Sequence, residues 1–491
     1  MTAREPSRES LAATPVDGLV LIALWFALCA GLVYAFGTAL GRPIETVEGE
    51  ILFEAQRVRE NFALYVDPVL GAYDYGAVPS RYHVLYTPLW PYVLSGLPAG
   101  VALATARLAS ACAWYGLLAA VAFAAPVERR RAALASAALA GCTFMIVRHC
   151  ATATADSVAV VLAGVALLRT LRVGRADAWA GALFALAVWT KPNVVGLASG
   201  VLLHEIFTGR SRSLKPLAAA LALSAVVGFW TYRVSHGAWL AHLLRSTLQP
   251  ASLRRAVLEI GPRLPFLGLP HAFAAYCAIR AGVSFPARVL LWALASSLTW
   301  TMLEMSKVGS ATGYWLEPTV AAVMIMAHVP IPRARMWSLA GVRFTVAAAA
   351  LATLAWNAAA SLKAAHAALA RRDAIARVRA ECGARASDLV MADNPGLEMM
   401  LDGRVLETPY QFTHLVRTGA YPIDLWKSDI AAPQIRCLVT EADLLEPSRV
   451  ATDLENERFG PEIRPALVAR FAFAAEDSGL WIYRARDSAP P

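Results

Sequence analysis

The stretch "VEGEILFEAQRV", Val47 to Val58, places Glu48, Glu50 and Glu54 on one predicted helix. A carboxylate near an apolar surface can take a proton from a reacting hydroxyl, and two together can hold a divalent cation. Glu50 and Glu54 are four residues apart and share a helical face, whereas Glu48 faces another way. The same charge pattern also suits a solvated amphipathic helix with its acids in water. A further acid, Asp156, sits at the mouth of the apolar run in "RHCATATADSVAVVLAGVALLR" (Arg148 to Arg169), where Asp before Ser157 is also a common helix start.

Positive charge is placed to match. Lys191 in "WTKPN" lies between two short apolar segments, with Pro192 breaking the helix. A charge at such a break faces protein or water, or else snorkels to the interface. "KVGSATGYWLEP" puts Lys307 in a connection, followed by Tyr314, with Glu317 inside the next apolar run. A carboxylate there requires a partner or a water-filled cavity, and Lys307 and Lys191 are the candidate partners. As mobile point charges, both lysines are also candidate phosphate ligands. "YDYGAVPSRYHVLYTPLWPYVLSGLP" (Tyr73 to Pro98) crowds Arg81, His83 and Tyr86 among tyrosines and Trp90. Aromatics are ordinary at a membrane surface, but this clustering suits a site that takes a polar sugar above and a lipid tail below. There is no Gly-rich phosphate loop and no GxSxG elbow.

The elements that must position these residues are mostly membrane helices. Of 491 residues, 57% are hydrophobic and 16% charged, against about a quarter charged in soluble domains. The formal charge of +9 comes from basic residues dispersed between apolar runs, which argues for cytoplasmic loops and against nucleic acid. About eleven spans are expected, at 17–38, 104–125, 132–149, 157–172, 177–190, 193–208, 215–234, 263–280, 286–303, 314–329 and 338–360. The first is read as a retained signal anchor with the N-terminus inside. Leu89 to Val101 is short and rich in Pro and Gly, so it is read as interfacial. This layout sends the basic loops, such as Arg129-Arg130-Arg131, inward, and puts the acidic motifs and the first loop, 39–103, outside.

Residues 1–362 thus form a transmembrane domain and 363–491 a small α/β domain on the outer face. In the latter, strands are expected at Asp388 to Ala392, Arg404 to Glu407, Arg436 to Thr440, Ala466 to Ala475 and Leu480 to Arg484, with helices at 363–381 and 395–401. Five of the seven cysteines lie in or beside apolar runs, while Cys382 and Cys437 flank the last domain and can form one bridge outside the cytoplasm.

The chain resembles the GT-C fold glycosyltransferases, the membrane family that includes protein O-mannosyltransferases and the lipid A aminoarabinose transferase. The likeness is carried by "VEGE" (Val47 to Glu50), "YTPLWPYVLS" (Tyr86 to Ser95), "ARLAS" (Ala106 to Ser110), "TADS" (Thr154 to Ser157), "TKPN", "KVGSATGYWLEP" and "ADNPGL" (Ala392 to Leu397). It spans nearly the whole membrane region. The resemblance implies inverting transfer of a sugar from a polyprenyl-phosphate carrier to a glycan, lipid or protein acceptor, at the outer face of a bacterial cytoplasmic membrane. It places the base at Glu48, with Glu50 as the second choice, and maps the second-loop acid onto Asp156. Lys191 and Lys307 would meet phosphate, and Arg81, His83, Tyr86, Tyr314 and Glu317 would line the pocket. In some relatives these acids also hold a divalent ion, which makes Glu48 and Asp156 the candidate metal ligands here. A transporter or flippase would explain the intramembrane charges but predicts inverted repeats, and none is seen. A non-catalytic scaffold predicts Glu48 and Asp156 exposed and far apart.

Overall fold

The computed structural model describes residues 15–39, 41–66, 73–74, 79–80, 83–208, 214–247, 251–282, 284–307, 312–332, 340–382, 388–444 and 458–486. From the N-terminus, α1 (Pro15–Leu32) leads to α2 (Thr46–Arg59), which carries the three glutamates, and two short paired strands follow, β1 (Tyr73–Asp74) and β2 (Pro79–Ser80). Next come α3 (Leu89–Ser95), α4 (Ala99–Ala124), α5 (Arg130–Cys142), α6 (Phe144–Cys150), α7 (Asp156–Val173), α8 (Ala178–Thr190), α9 (Gly196–Phe207) and α10 (Lys215–Val234). After α11 (Ala238–Thr247) and α12 (Leu253–Ile260), the bundle is completed by α13 (Leu269–Arg280), α14 (Phe285–Met305), α15 (Leu316–His328) and the first part of α16 (Ala340–Cys382).

Among the described residues, each apolar segment expected to cross a membrane is mainly helical. Four helices are by themselves long and apolar enough to span, within Gly18–Gly37, Ala99–Ala124, Lys215–Val234 and Val346–Cys382. The segment expected as one span at 132–149 is instead α5 and α6, meeting at 72° around Thr143. The break is held: the Phe144 N–H donates to Asn357 Oδ1 of α16 at 2.8 Å, replacing the intrahelical bond lost at the bend. α8 and α9 have 13 and 12 residues and flank Lys191, so each is shorter than a full span, at about 20 and 18 Å. The bundle core is built from α4, α5, α7, α8, α9, α13, α14 and α15. Its centre is α15, buried almost throughout from Leu316 to Ala327.

α16 runs unbroken for 43 residues, about 65 Å at helical rise, and joins the membrane bundle to the C-terminal domain. That domain has a four-stranded sheet in the order β3 (Leu389–Ala392), β4 (Ile435–Thr440), β6 (Leu480–Ala485), β5 (Phe471–Asp477), with β3 and β4 parallel and the other pairs antiparallel. The β5–β6 hairpin turns on Ser478 and Gly479, both at positive φ (52° and 78°), as a two-residue loop requires. Helices α17 (Pro395–Leu401), α18 (Pro409–Arg417), α19 (Ile423–Ile430) and α20 (Arg464–Arg470) cover the sheet. Two strand expectations need correction. Arg404 to Glu407 joins no strand ladder: the Leu406 N–H donates to the buried Glu398 carboxylate at 2.8 Å instead. Ala466 to Ala475 straddles the end of α20 and the start of β5.

Cys382 and Cys437 are bridged, tying the end of α16 to β4 across 55 residues. Replacing both by Ser is expected to destabilise the C-terminal domain by about 4 kcal/mol on loop-closure entropy. Denaturant unfolding of the full chain in detergent, with and without reductant, checks this: the wild type should fall to the variant's midpoint on reduction, and an unmoved midpoint would contradict it.

Candidate active site

The three glutamates of α2 do not face water. Glu48, Glu50 and Glu54 are all buried, which removes the solvated-helix alternative. Glu48 is clasped by Arg107 of α4, the arginine of "ARLAS": Arg107 Nε donates to Oε1 at 2.8 Å and an Nη to Oε2 at 2.6 Å. The backbone N–H groups of Ala153 and Glu45 donate to the same two oxygens at 2.7 and 3.0 Å. Four donors fill the lone-pair sites of a carboxylate. Burial opposes ionisation of Glu48, but the hydrogen bond and charge of Arg107, with Arg42 at 3.7 Å, outweigh it and hold the carboxyl below its usual range. Arg107 in turn spends its remaining donors on the carbonyls of Ala39, Arg42 and Pro43. Two separate motifs are thus one buried ion pair that folds the first loop onto α4.

The same contacts bring in the second loop. Glu48 holds the Ala153 N–H, and Trp90 Nε1 of α3 donates to the Ala153 carbonyl at 2.8 Å. Ile51, Ala55, Trp90, Leu94, Ala106, Ala153 and Ala155 pack into one apolar cluster beneath them. Asp156 follows immediately, in the first turn of α7, where its charge is favoured by the helix dipole. It is not the cap: Ala155 holds that position, and the Asp156 carboxylate turns to the Lys191 ammonium in a close ion pair. The scaffold arrangement, with Glu48 and Asp156 exposed and apart, is therefore not found.

Lys191 sits at the α8–α9 break with its Nζ 5.6 Å from the Tyr86 ring and 5.5 Å from the Tyr314 ring, within cation–π range. A polar chain leads on from there. Asn193 Nδ2 donates to Tyr314 Oη at 2.9 Å and to Glu304 Oε2 at 3.2 Å, and Lys307 Nζ donates to Glu304 Oε1 at 2.7 Å. Asn193 and Glu304 were not singled out from the sequence. The signals were present: an amide two residues past the charged break, and a lone carboxylate closing the apolar α14.

Glu50 is held differently from Glu48. Among the described residues its one hydrogen-bond donor is Gln411 Nε2, 3.2 Å from Oε1, and Oε2 has no partner. Burial pushes its carboxyl up to about 8. Burial also raises the Tyr86 hydroxyl, and the negative charges of Glu50, Asp156, Tyr314 and Glu54 raise it further.

Other expected site residues lie elsewhere. Glu317 pairs with neither Lys191 nor Lys307. It accepts the Gly196 and Leu197 N–H groups at 3.2 and 3.0 Å, capping the start of α9, where unpaired amides and the helix dipole favour an anion. His83 stacks on His242 of α11 with ring centroids 4.4 Å apart. Arg81 lies outside the described residues. The pair expected to share a divalent ion fits one poorly, since Glu48 is filled by Arg107 and Asp156 faces Lys191. Among the described residues no three His, Cys, Asp or Glu side chains gather as a ligand set.

No family sequence model and no curated protein matches this chain. Solved structures do. ArnT from Cupriavidus metallidurans bound to undecaprenyl phosphate aligns at TM-score 0.60 and 14% identity, covering 95% of this chain and 98% of that one. Its apo form aligns at TM-score 0.56 and 15% identity, over 96% and 98%. The apo Archaeoglobus fulgidus oligosaccharyltransferase aligns at TM-score 0.53 and 12% identity, over 97% of this chain and 75% of that one. Likeness across nearly the whole chain at such low identity speaks to architecture: the protein has the GT-C fold of these membrane glycosyltransferases.

Proposed function

We propose that this protein is a membrane glycosyltransferase that moves a sugar from a polyprenyl-phosphate carrier to an acceptor hydroxyl at the outer face of the membrane. The observation that carries the reading is the Asp156–Lys191 ion pair between Tyr86 and Tyr314, with Tyr86 also in the field of Glu50, a buried carboxylate with one unpaired oxygen. In this reading the base is Glu50 rather than Glu48. The acceptor oxygen attacks the sugar C1 and its proton passes to Glu50. The C1–O bond to phosphate breaks with inversion, and polyprenyl phosphate leaves with the electron pair. Lys191, with Lys307 farther along the chain of contacts, offsets the developing charge. Glu48 holds the two loops in register, and Asp156 orients Lys191.

A half-lipid donor needs an apolar berth next to that charge. A cleft of about 250 Å³ between α9 and α14, lined by Gly196, Leu203, Trp292, Trp300 and Leu303, adjoins the polar chain. Trp300 Nε1 donates to the Asn193 carbonyl at 2.7 Å, and Lys307 Nζ lies 5.9 Å from the Trp300 ring. The Cys382–Cys437 bridge supports an outer, oxidising location for the C-terminal domain.

Removing the charge tests the donor site. Lys191→Met is expected to weaken binding of undecaprenyl phosphate to the purified protein by about tenfold or more, the scale of one charge-assisted contact, with Lys191→Arg recovering part of it. Equal affinity in wild type and Lys191→Met would refute the assignment.

A further inference from the structure

The C-terminal domain reaches Glu50 across the whole length of the chain. Gly49, between the two acids of α2, lies against the start of α17. A Cβ on Gly49 would stand 2.4 Å from the Gly396 nitrogen, and one on Gly396 would stand 2.2 Å from the Ile44 carbonyl oxygen. Hydrogen alone fits at both positions, so two backbones meet directly. Asn394 Oδ1 accepts the Gly396 N–H at 2.7 Å, and the Ile44 N–H donates to Met400 Sδ at 3.3 Å, which fixes the approach.

This docking seats α18 beside α2. Gln411 of α18 is 3% exposed. Its Oε1 accepts the Thr408 hydroxyl at 2.9 Å, leaving Nε2 aimed at Glu50. The described groups set against Glu50 are Gln411 from α18, by its hydrogen bond, and Tyr86 from the segment before α3, whose hydroxyl feels the Glu50 charge. No described cation pairs with it.

We propose that Gln411 is a positioning residue for the transfer reaction, carried to Glu50 by the C-terminal domain, which thereby completes the active site. The proposal rests on Glu50 being the base. An N–H donated to a carboxylate favours its ionised form and fixes which oxygen stays unpaired. Without Gln411, Glu50 keeps its proton to higher pH and loses its orientation.

The test combines Gln411→Leu, Glu50→Gln and the double variant in the full chain. It measures the pH dependence of kcat/KM for a polyprenyl-phosphate sugar, and the infrared titration of the Glu50 carboxyl from wild-type minus Glu50→Gln spectra. Gln411→Leu should move both the acid limb and the infrared midpoint up by about one pH unit. The rate at pH 7 should then fall by about tenfold, and the double variant should be no slower than Glu50→Gln alone. A uniform loss at every pH with both midpoints unmoved would make Gln411 merely structural and overturn the proposal while leaving Glu50 as base. Wild-type transfer by Glu50→Gln would overturn the base reading and this proposal with it, while the infrared midpoint still reports the Gln411 contact. If Gln411→Leu does not accumulate, Gln411→Met, similar in length and unable to donate, carries the same expectation.

Discussion

Glu50→Gln should lower sugar transfer by about 10²–10⁴-fold, the usual contribution of a general base, with the fold retained. The amide has the size of the carboxyl and brings no charge into a site where the wild-type group is largely protonated at neutral pH, its carboxyl lying at about 8. The same shift fixes the pH behaviour. A base works when ionised, so wild-type kcat/KM should rise with pH through about 8 and then level. Stability should run the other way. The folded state keeps a proton that the unfolded chain releases near the ordinary glutamate value, so stability falls as pH rises from there through about 8. Glu50→Gln removes its share of that slope, while the buried Glu407 and Glu398 carboxyls, raised in the same direction, keep theirs. Thermal unfolding across this range checks the sign, and a variant whose stability falls with pH as steeply as the wild type would show that Glu50 is not the titrating group.

Arg107→Leu should have the larger effect on the fold. Removing one partner of a buried ion pair leaves the other uncompensated and costs about 3–5 kcal/mol. Here Glu48, at 0% exposure, would be left with backbone donors and Arg42 at 3.7 Å, and three loop carbonyls would lose their donor. Loss of folded protein after detergent extraction, or a large drop in denaturation midpoint, is the expected readout. Combining Glu48→Leu with Arg107→Leu should recover part of the loss, since an apolar pair leaves no stranded charge. A stable Arg107→Leu protein that fails only in turnover would return Glu48 to the reaction itself.

The contrast between these acids shows how far the letters reach. Apolar length is a one-dimensional property, and among the described residues each expected span is mainly helical, including the short ones around Lys191. The sequence also marked the two loops that meet where Glu48 accepts the Ala153 N–H, through an acid in each. What covers a residue was not legible. Glu48 and Glu50 look equivalent in "VEGE", yet one is filled by an arginine 59 residues on and the other is met by an amide 361 residues on. Glu317 seemed to require a lysine, but its partners are backbone N–H groups, which every residue carries and no letter reports. Arg404 to Glu407 had a strand's composition, yet a buried carboxylate took the Leu406 N–H that a ladder would use.

The most direct test of the account is turnover by the purified chain given polyprenyl-phosphate donors with radiolabelled sugars, together with membrane-derived acceptors. Label should appear in the acceptor, matched by release of free polyprenyl phosphate, and both should be lost in Asp156→Asn and Glu50→Gln. If no donor in the panel is consumed while the reconstituted protein moves intact donor across a liposome bilayer, the chain is a carrier with a GT-C fold and not a transferase.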